Sequence, residues 1–157
     1  MIQRIQSVYM LLSVVACVVC LASPVGVFTA TTGEEANLYN LWLSVFNGST
    51  GEVVHKLTPW VAGFALLALA ATFTLLNIFI YTRRTLQMRT LLWCMFVLVG
   101  YYIVDGIFVW RLCQEHGFNF RPTVFAALPL VSLILDYMAF ASVRKDDDLV
   151  KSLERLR

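Results

Sequence analysis

Hydrophobic positions along the chain gather into four long runs, at residues 5–28, 59–81, 90–110 and 122–143, separated by segments in which polar and apolar residues mix. Each run is roughly 20 residues or longer, and at about 1.5 Å per residue a helix of that length crosses the ~30 Å hydrocarbon core of a bilayer. The first two runs contain no charged side chain, and the other two contain one aspartate each, Asp105 and Asp136. The pattern therefore predicts four transmembrane helices and a multi-pass membrane protein, with residues 1–157 forming a single membrane domain.

The connections carry their own patterns. Within the long segment 29–58, residues 37–46 lose the helical run, the turn formers Asn47-Gly48-Ser49-Thr50-Gly51 follow, and Val53-Val54-His55 resume. This predicts a short β-hairpin. An isolated hairpin is marginal in water, so Leu41, Trp42 and Phe46 are expected to rest on the helix ends or on a partner. Asn47-Gly48-Ser49 also matches a glycosylation acceptor, a weak three-residue signal. Residues 144–157 predict a short amphipathic helix with Leu149, Val150, Leu153 and Leu156 on one stripe. Asp146, Asp147 and Asp148 at its start and Arg155 and Arg157 at its end complement the helix dipole. Such a helix ordinarily lies along headgroups, and Leu149, Leu153, Arg155, Leu156 and Arg157 are also the candidate docking handle for a cytoplasmic partner. The expected fold class is an all-α membrane protein: a four-transmembrane-helix bundle with a short extracytoplasmic β-hairpin and a cytoplasmic C-terminal amphipathic helix.

Composition agrees with lipid as the solvent. With 59% hydrophobic and 14% charged residues and a mean hydropathy of +0.74, the chain lacks the polar surface of a soluble globule. A net charge of +2 gives no argument for nucleic acid, but the positions of the charges are informative. Arg4, Arg83, Arg84, Arg89, Arg144, Lys145, Lys151, Arg155 and Arg157 fall on one set of connections, and only Lys56, Arg111 and Arg121 on the other. The positive-inside rule then places both termini in the cytoplasm and segments 29–58 and 111–121 outside. Val14-Val15-Ala16-Cys17 resembles a lipoprotein cleavage box, yet the apolar run continues well past Cys17, so an uncleaved first helix is expected. Thr58-Pro59 and Arg121-Pro122 place a proline in the first turn of the second and fourth helices. Trp60, Tyr81, Trp93 and Trp110 sit where an interfacial aromatic belt puts them.

The candidate chemistry begins with the aspartates. An ionised aspartate near the bilayer centre costs about 2.5–3.5 kcal/mol, so each should face the bundle and hold a partner or a proton. Counting along the helices, Asp136 lies roughly 12 Å from the cytoplasmic edge and Asp105 roughly 9 Å from the outer edge, in opposite leaflets. They are two sites, then, not a carboxylate pair. Asn77 and Ser13 lie at the depth of Asp136, with Ser132 one turn away on its own face, and Tyr101 and Tyr102 accompany Asp105, with Arg111 or Arg121 within snorkelling reach. Both sites read first as hydrogen-bonded helix clamps. A proton- or ion-coupled function through Asp105 and Asp136 is the alternative, without the broken helices that transporters show. A membrane thiol oxidoreductase using the C-x-x-C of Cys17 and Cys20 is a second alternative. Cys17, however, falls near mid-membrane, away from the polar interface a reactive thiolate needs, and with Cys94 and Cys113 it reads better as a small hydrophobe. His55 and His116, beside Glu52 and Glu115, are too generic to define a metal site, and no cofactor is expected.

The opening Met1-Ile2-Gln3-Arg4-Ile5-Gln6-Ser7-Val8-Tyr9-Met10-Leu11-Leu12 and the closing stretch from Lys145-Asp146 to Arg155-Leu156-Arg157 resemble the ends of the domain of unknown function 4293 family. Its members are small four-helix inner-membrane proteins of Bacteroidota-type bacteria that end in a similar Lys-Asp, Leu-Val, Ser and Arg-Leu-Arg pattern. The resemblance spans the whole length and is specific at the two ends. It implies a bacterial inner-membrane location and this topology, and it brings no established activity. The expected role is that of a non-enzymatic accessory or interaction subunit. Its partners would be the lipid bilayer and a membrane or cytoplasmic protein or a second copy, with no nucleic acid.

Overall fold

Buried positions on the helices recur at alternating steps of four and three residues, the spacing by which side chains of neighbouring helices interlock in a bundle. In the computed structural model, which describes residues 3–29, 35–46, 53–57, 61–80, 83–116 and 119–155, this seam runs through Gln6, Met10, Ser13, Cys17 and Cys20 on helix α1 (Gln3–Ala22). It continues through Gly63, Leu67, Ala70, Ala71, Thr74 and Asn77 on α2 (Val61–Phe79). On α3 (Arg84–His116) it comprises Gln87, Leu91, Cys94, Leu98 and Tyr101, and on α4 (Leu128–Arg155) Pro129, Ser132, Asp136, Ala139 and Val143. Helix α1 packs on α2 and α4, and α3 closes the square by packing on the same two. All four helices are long and apolar enough to cross a membrane.

Two ends of the bundle are distinct. Gln6 donates from Nε2 to Oδ2 of Asp146 at 2.7 Å, and Asn77 donates to the backbone carbonyl of Gln87 at 3.2 Å, so the start of α1 meets the second half of α4 where α2 gives way to α3. That is the basic end. The opposite end carries a five-stranded antiparallel sheet in the order β4-β3-β2-β1-β5, made from β1 (Pro24–Thr29), β2 (Glu35–Tyr39), β3 (Leu43–Phe46), β4 (Val53–Leu57) and β5 (Asn119–Pro122). Phe28, Ala36, Leu38 and Leu43 form its apolar underside and pack on Phe108, Val109, Leu112 and Cys113 of α3. At 33 residues α3 is about 50 Å long, well beyond a bilayer core, and its extension is what supports the sheet.

The molecule is thus mostly helical with a small sheet, where the sequence predicted an all-α fold carrying a two-stranded hairpin. Three local causes explain the difference. First, the apolar run 5–28 does not stay helical. Pro24 lacks an N–H and disfavours helix at the residue before it, so α1 stops at Ala22 and the remaining apolar residues become β1. Second, the predicted strand at 37–46 folds back on itself at Asn40 and Leu41, giving β2 and β3. The Tyr39 N–H donates to the Trp42 carbonyl at 2.9 Å across that turn, and the two rings stack at 5.3 Å. Third, Pro122 ends the edge strand β5, where a missing N–H costs little, and the proline in the first turn of α4 is Pro129.

Two further boundaries move. Helix α3 begins at Arg84, ahead of the predicted 90, and α4 continues through the predicted tail to Arg155 without a break at 144. The aspartates 146–148 therefore sit mid-helix, not at a helix N-terminus, and the dipole argument for them lapses. Asp146 is anchored by side chains, with Gln6 on its carboxylate and Arg84 Nη1 on its carbonyl at 3.1 Å. Gly26 is required by close packing in the sheet. A Cβ there would run into the ring of Phe120 and come within 3.3 Å of the Arg121 carbonyl. The Thr58-Pro59 cap, Trp60, Tyr81, the Asn47-Gly48-Ser49 sequon, Leu156 and Arg157 lie outside the described residues, as do the side chains of Phe46, His55, His116, Leu153 and Arg155.

Candidate functional site

Polar side chains interrupt the apolar inside of this bundle, and they form two separate knots. The first joins the sheet to the helices. Asn40, in the turn between β2 and β3, is buried, and its Nδ2 donates to the Cys20 carbonyl at 2.8 Å. That carbonyl is one of the last four of α1, which have no partner within their own helix. The Tyr101 hydroxyl of α3 donates to Asn40 Oδ1 at 2.8 Å, so one amide from the sheet caps α1 and is clasped by α3. Next to it, the Tyr102 hydroxyl donates to the Ala126 carbonyl at 2.8 Å.

The second knot sits in the middle of the seam and draws on all four helices. Ser132 of α4 donates to the Ser13 carbonyl at 2.7 Å and lies 3.1 Å from the Ser13 hydroxyl, while the Cys17 thiol is 3.0 Å from the Ser132 oxygen. Hydroxyls of Ser13 and, from α2, Thr74 face the carboxyl of Asp136, and Thr74 also faces the Cys94 thiol of α3. Ser13, Ser132, Asp136 and Asn77 are all 0% exposed. An apolar layer of Met10, Leu91, Ala139 and Val143 lies on the basic side, and one that includes Leu67, Ala70 and Leu98 lies on the sheet side.

Hydrogen-bond accounting separates the knots. In the first, the two oxygens and the amide are matched. In the second, the Ser13 and Thr74 hydroxyls face Asp136, yet neither carboxyl oxygen has a donor in good hydrogen-bond geometry; Oδ1 of Asn77, toward the basic end, has none either. Among the described residues the only other buried unpartnered side-chain N or O atom is Oγ1 of Thr123, at the sheet end. Each such orphan costs about 1–3 kcal/mol, more when charged, so the two on Asp136 demand a physical reason.

The structure brings together Asp136, Ser13 and Ser132, with Asn77 one turn beyond Thr74 on the same buried face of α2. Asp105 stands apart, partly exposed on α3, one turn beyond Tyr101 toward the sheet. The tyrosines expected to hold it spend their only protons on Asn40 and Ala126, and among the described residues no ion pair joins it to Arg111 or Arg121. Cys17 and Cys20 are free, buried thiols facing Ser132 and Asn40 respectively. Of the docking candidates, Leu149 is exposed on the last turns of α4. Among the described residues no group of three histidine, cysteine or acidic side chains is placed to hold a metal.

Sequence reasoning missed Asn40, Thr74, Gln6 and Gln87. For the last three a signal was available. Gln6 and Gln87 stand four residues ahead of Met10 and Leu91 on the same buried stripes, and Thr74 stands three ahead of Asn77. Asn40 had no such mark, because its role depends on a turn inside a segment that reads as one strand.

Four helices long and apolar enough to cross a membrane, with polar knots between them and a small sheet across one end, suggest a multi-pass membrane protein. The chain belongs to the family described as Domain of unknown function (DUF4293), whose model matches residues 2–156, nearly its whole length. Comparison with curated proteins found no match.

Proposed function

We propose that the chain is an integral inner-membrane protein that crosses the bilayer four times as a single membrane domain, with both termini in the cytoplasm, and serves as a non-enzymatic accessory or interaction subunit. One observation carries the membrane reading. The bundle exposes large apolar side chains that a soluble protein would bury, and encloses polar ones between its apolar core layers. Trp93, Phe96, Phe79 and Ile103 are 58–72% exposed, whereas Ser13, Asn77, Ser132 and Asp136 are fully enclosed. Even the exposed Thr72 hydroxyl is turned back onto the Ala68 carbonyl at 2.8 Å, as a hydroxyl facing hydrocarbon must be.

Charge supports the orientation. The helix ends that meet around Gln6, Arg84 and Asp146 carry nine of the twelve basic residues, and the sheet end carries three. The interaction role is supported by what projects beyond the bilayer: a sheet resting on the α3 extension outside, and the last turns of α4, with Leu149 exposed, inside. The surrounding lipid is one partner, and a membrane or cytoplasmic protein or a second copy is the other.

Two measurements test this. A cysteine replacing Glu35 on β2 should react with an impermeant maleimide added outside the cell membrane, and one replacing Arg144 only after permeabilisation; the reverse pattern overturns the orientation. Crosslinking in the native membrane followed by mild solubilisation should give a reproducible complex of defined mass. Recovery of monomer alone would remove the accessory reading.

A further inference from the structure

At the basic end, the outward face of α4 keeps charged groups of both signs unpaired beside an apolar surface. Tyr137, Phe140, Ala141, Arg144, Lys145 and Asp148 stand at positions i, i+3, i+4, i+7, i+8 and i+11 of one helical stripe, and they line a shallow groove of about 570 Å³. The stripe lies on the far side of the helix from the seam of Ser132, Asp136, Ala139 and Val143. Among the described residues no ion pair or side-chain hydrogen bond engages Arg144, Lys145 or Asp148, whereas Arg84 at the same end donates to the Asp146 carbonyl at 3.1 Å. Asp148 is one turn beyond Arg144, but a cation ahead of an acid is the weaker orientation of such a pair on a helix. Both signs of charge are therefore open to an outside group.

These groups are ordered by depth. Along the axis from Tyr137 the two cations stand at roughly 10–12 Å and the carboxylate at roughly 16 Å, with Phe140 and Ala141 on the apolar side of them. On the reading that the bundle crosses the bilayer, on which this inference rests, the order runs from hydrocarbon through the phosphate level to water. A phospholipid is built in the same order, as acyl chains, phosphodiester anion and headgroup alcohol. Cations at the phosphate level are ordinary snorkelling residues that would serve any phospholipid. Asp148 narrows the choice. A glycerol headgroup offers nothing positive and would leave its phosphate beside an unmatched carboxylate. An ethanolamine headgroup carries an ammonium just beyond the phosphate, on the side where Asp148 stands. Choline carries a cation as well, but its methylated nitrogen has no N–H to donate.

We propose that this groove binds one phosphatidylethanolamine of the surrounding bilayer, with Arg144 and Lys145 on the phosphate, Asp148 on the ammonium and an acyl chain along Tyr137, Phe140 and Ala141.

The test is native mass spectrometry of the purified full-length protein in detergent, titrated with phosphatidylethanolamine, phosphatidylglycerol or phosphatidylcholine of the same acyl chains. The parent should take up one phosphatidylethanolamine saturably, with a dissociation constant about tenfold below those of the other two lipids. Asp148→Asn should erase the preference over phosphatidylglycerol, and Arg144→Gln with Lys145→Gln should weaken phosphatidylethanolamine about tenfold. Arg83→Gln with Arg89→Gln, which removes the same charge at the same end but outside the groove, should leave the constant unchanged. Equal or absent binding of the three lipids, tighter binding of phosphatidylglycerol, a preference that survives in Asp148→Asn, or equal weakening by the Arg83 and Arg89 substitutions overturns the proposal. The expected maleimide pattern without a lipid preference removes this site alone, whereas reaction of both cysteines from outside removes the bilayer crossing on which it rests.

Discussion

The two polar knots use similar residues on the same helical seam and differ in one respect. Around Asn40 each polar atom meets its complement: amide to the Cys20 carbonyl, hydroxyl to amide oxygen. Around Asp136 neither carboxyl oxygen meets a donor in good geometry. A matched knot is a fastener, since any change leaves a buried group without its partner. An unmatched one is held in place by its surroundings. The comparison marks the sheet-end knot as a fastener and the central knot as the looser of the two.

Reciprocal exchange of amide and acid gives the sharpest way to break that contrast. Asn40→Asp replaces the donor facing the Cys20 carbonyl with a carboxylate oxygen and puts a buried charge without a counter-charge beside it. We expect a loss of about 3–5 kcal/mol, read by thermal or denaturant unfolding in detergent. A variant as stable as the parent would mean that Asn40 is not the fastener. Tyr101→Phe is the milder version. It keeps the ring and removes only the donor to Asn40 Oδ1, for an expected loss of about 1–3 kcal/mol.

The converse exchange, Asp136→Asn, should have the opposite sign. The substitution replaces one unpartnered oxygen with an amide donor facing the Ser13 and Thr74 hydroxyl oxygens, so stability should rise by about 1 kcal/mol. A clear loss would show that Asp136 already has a bonded partner, and the distinction between the knots would fail.

How much of this was legible in the sequence follows from which interactions are local. The four helices announced themselves because their signal is composition over some twenty residues. Depth along a helix follows from counting, and Asp136, Ser13 and Ser132 meet where their helices cross at one depth. The sheet was harder to read. Residues 24–28 extend the apolar run without changing its character, and only Pro24 marks the switch to β1. Asn119 to Pro122 make a strand only because β1 lies beside them, with Gly26 opposite Pro122. Hydrogen-bond partners were least accessible. Tyr101 and Tyr102 stand within one turn of Asp105, as sequence spacing implies, yet their protons go to groups 61 and 24 residues away.

Asp105 provides the smallest expected effect and a control for both knots. It lies where α3 leaves the bundle for the sheet, partly exposed, and neither nearby tyrosine donates to it. In the proposed orientation that level is close to the outer headgroups, where water can solvate a carboxylate without help from the protein. Asp105→Asn should therefore change unfolding stability by no more than about 0.5 kcal/mol, the range of ordinary surface substitutions. A loss above about 2 kcal/mol would make Asp105 a third fastener with a partner of its own. A small effect at Asp105 beside a gain at Asp136 would show that two intramembrane aspartates differ by what surrounds them, because one reaches water and the other is enclosed by four helices.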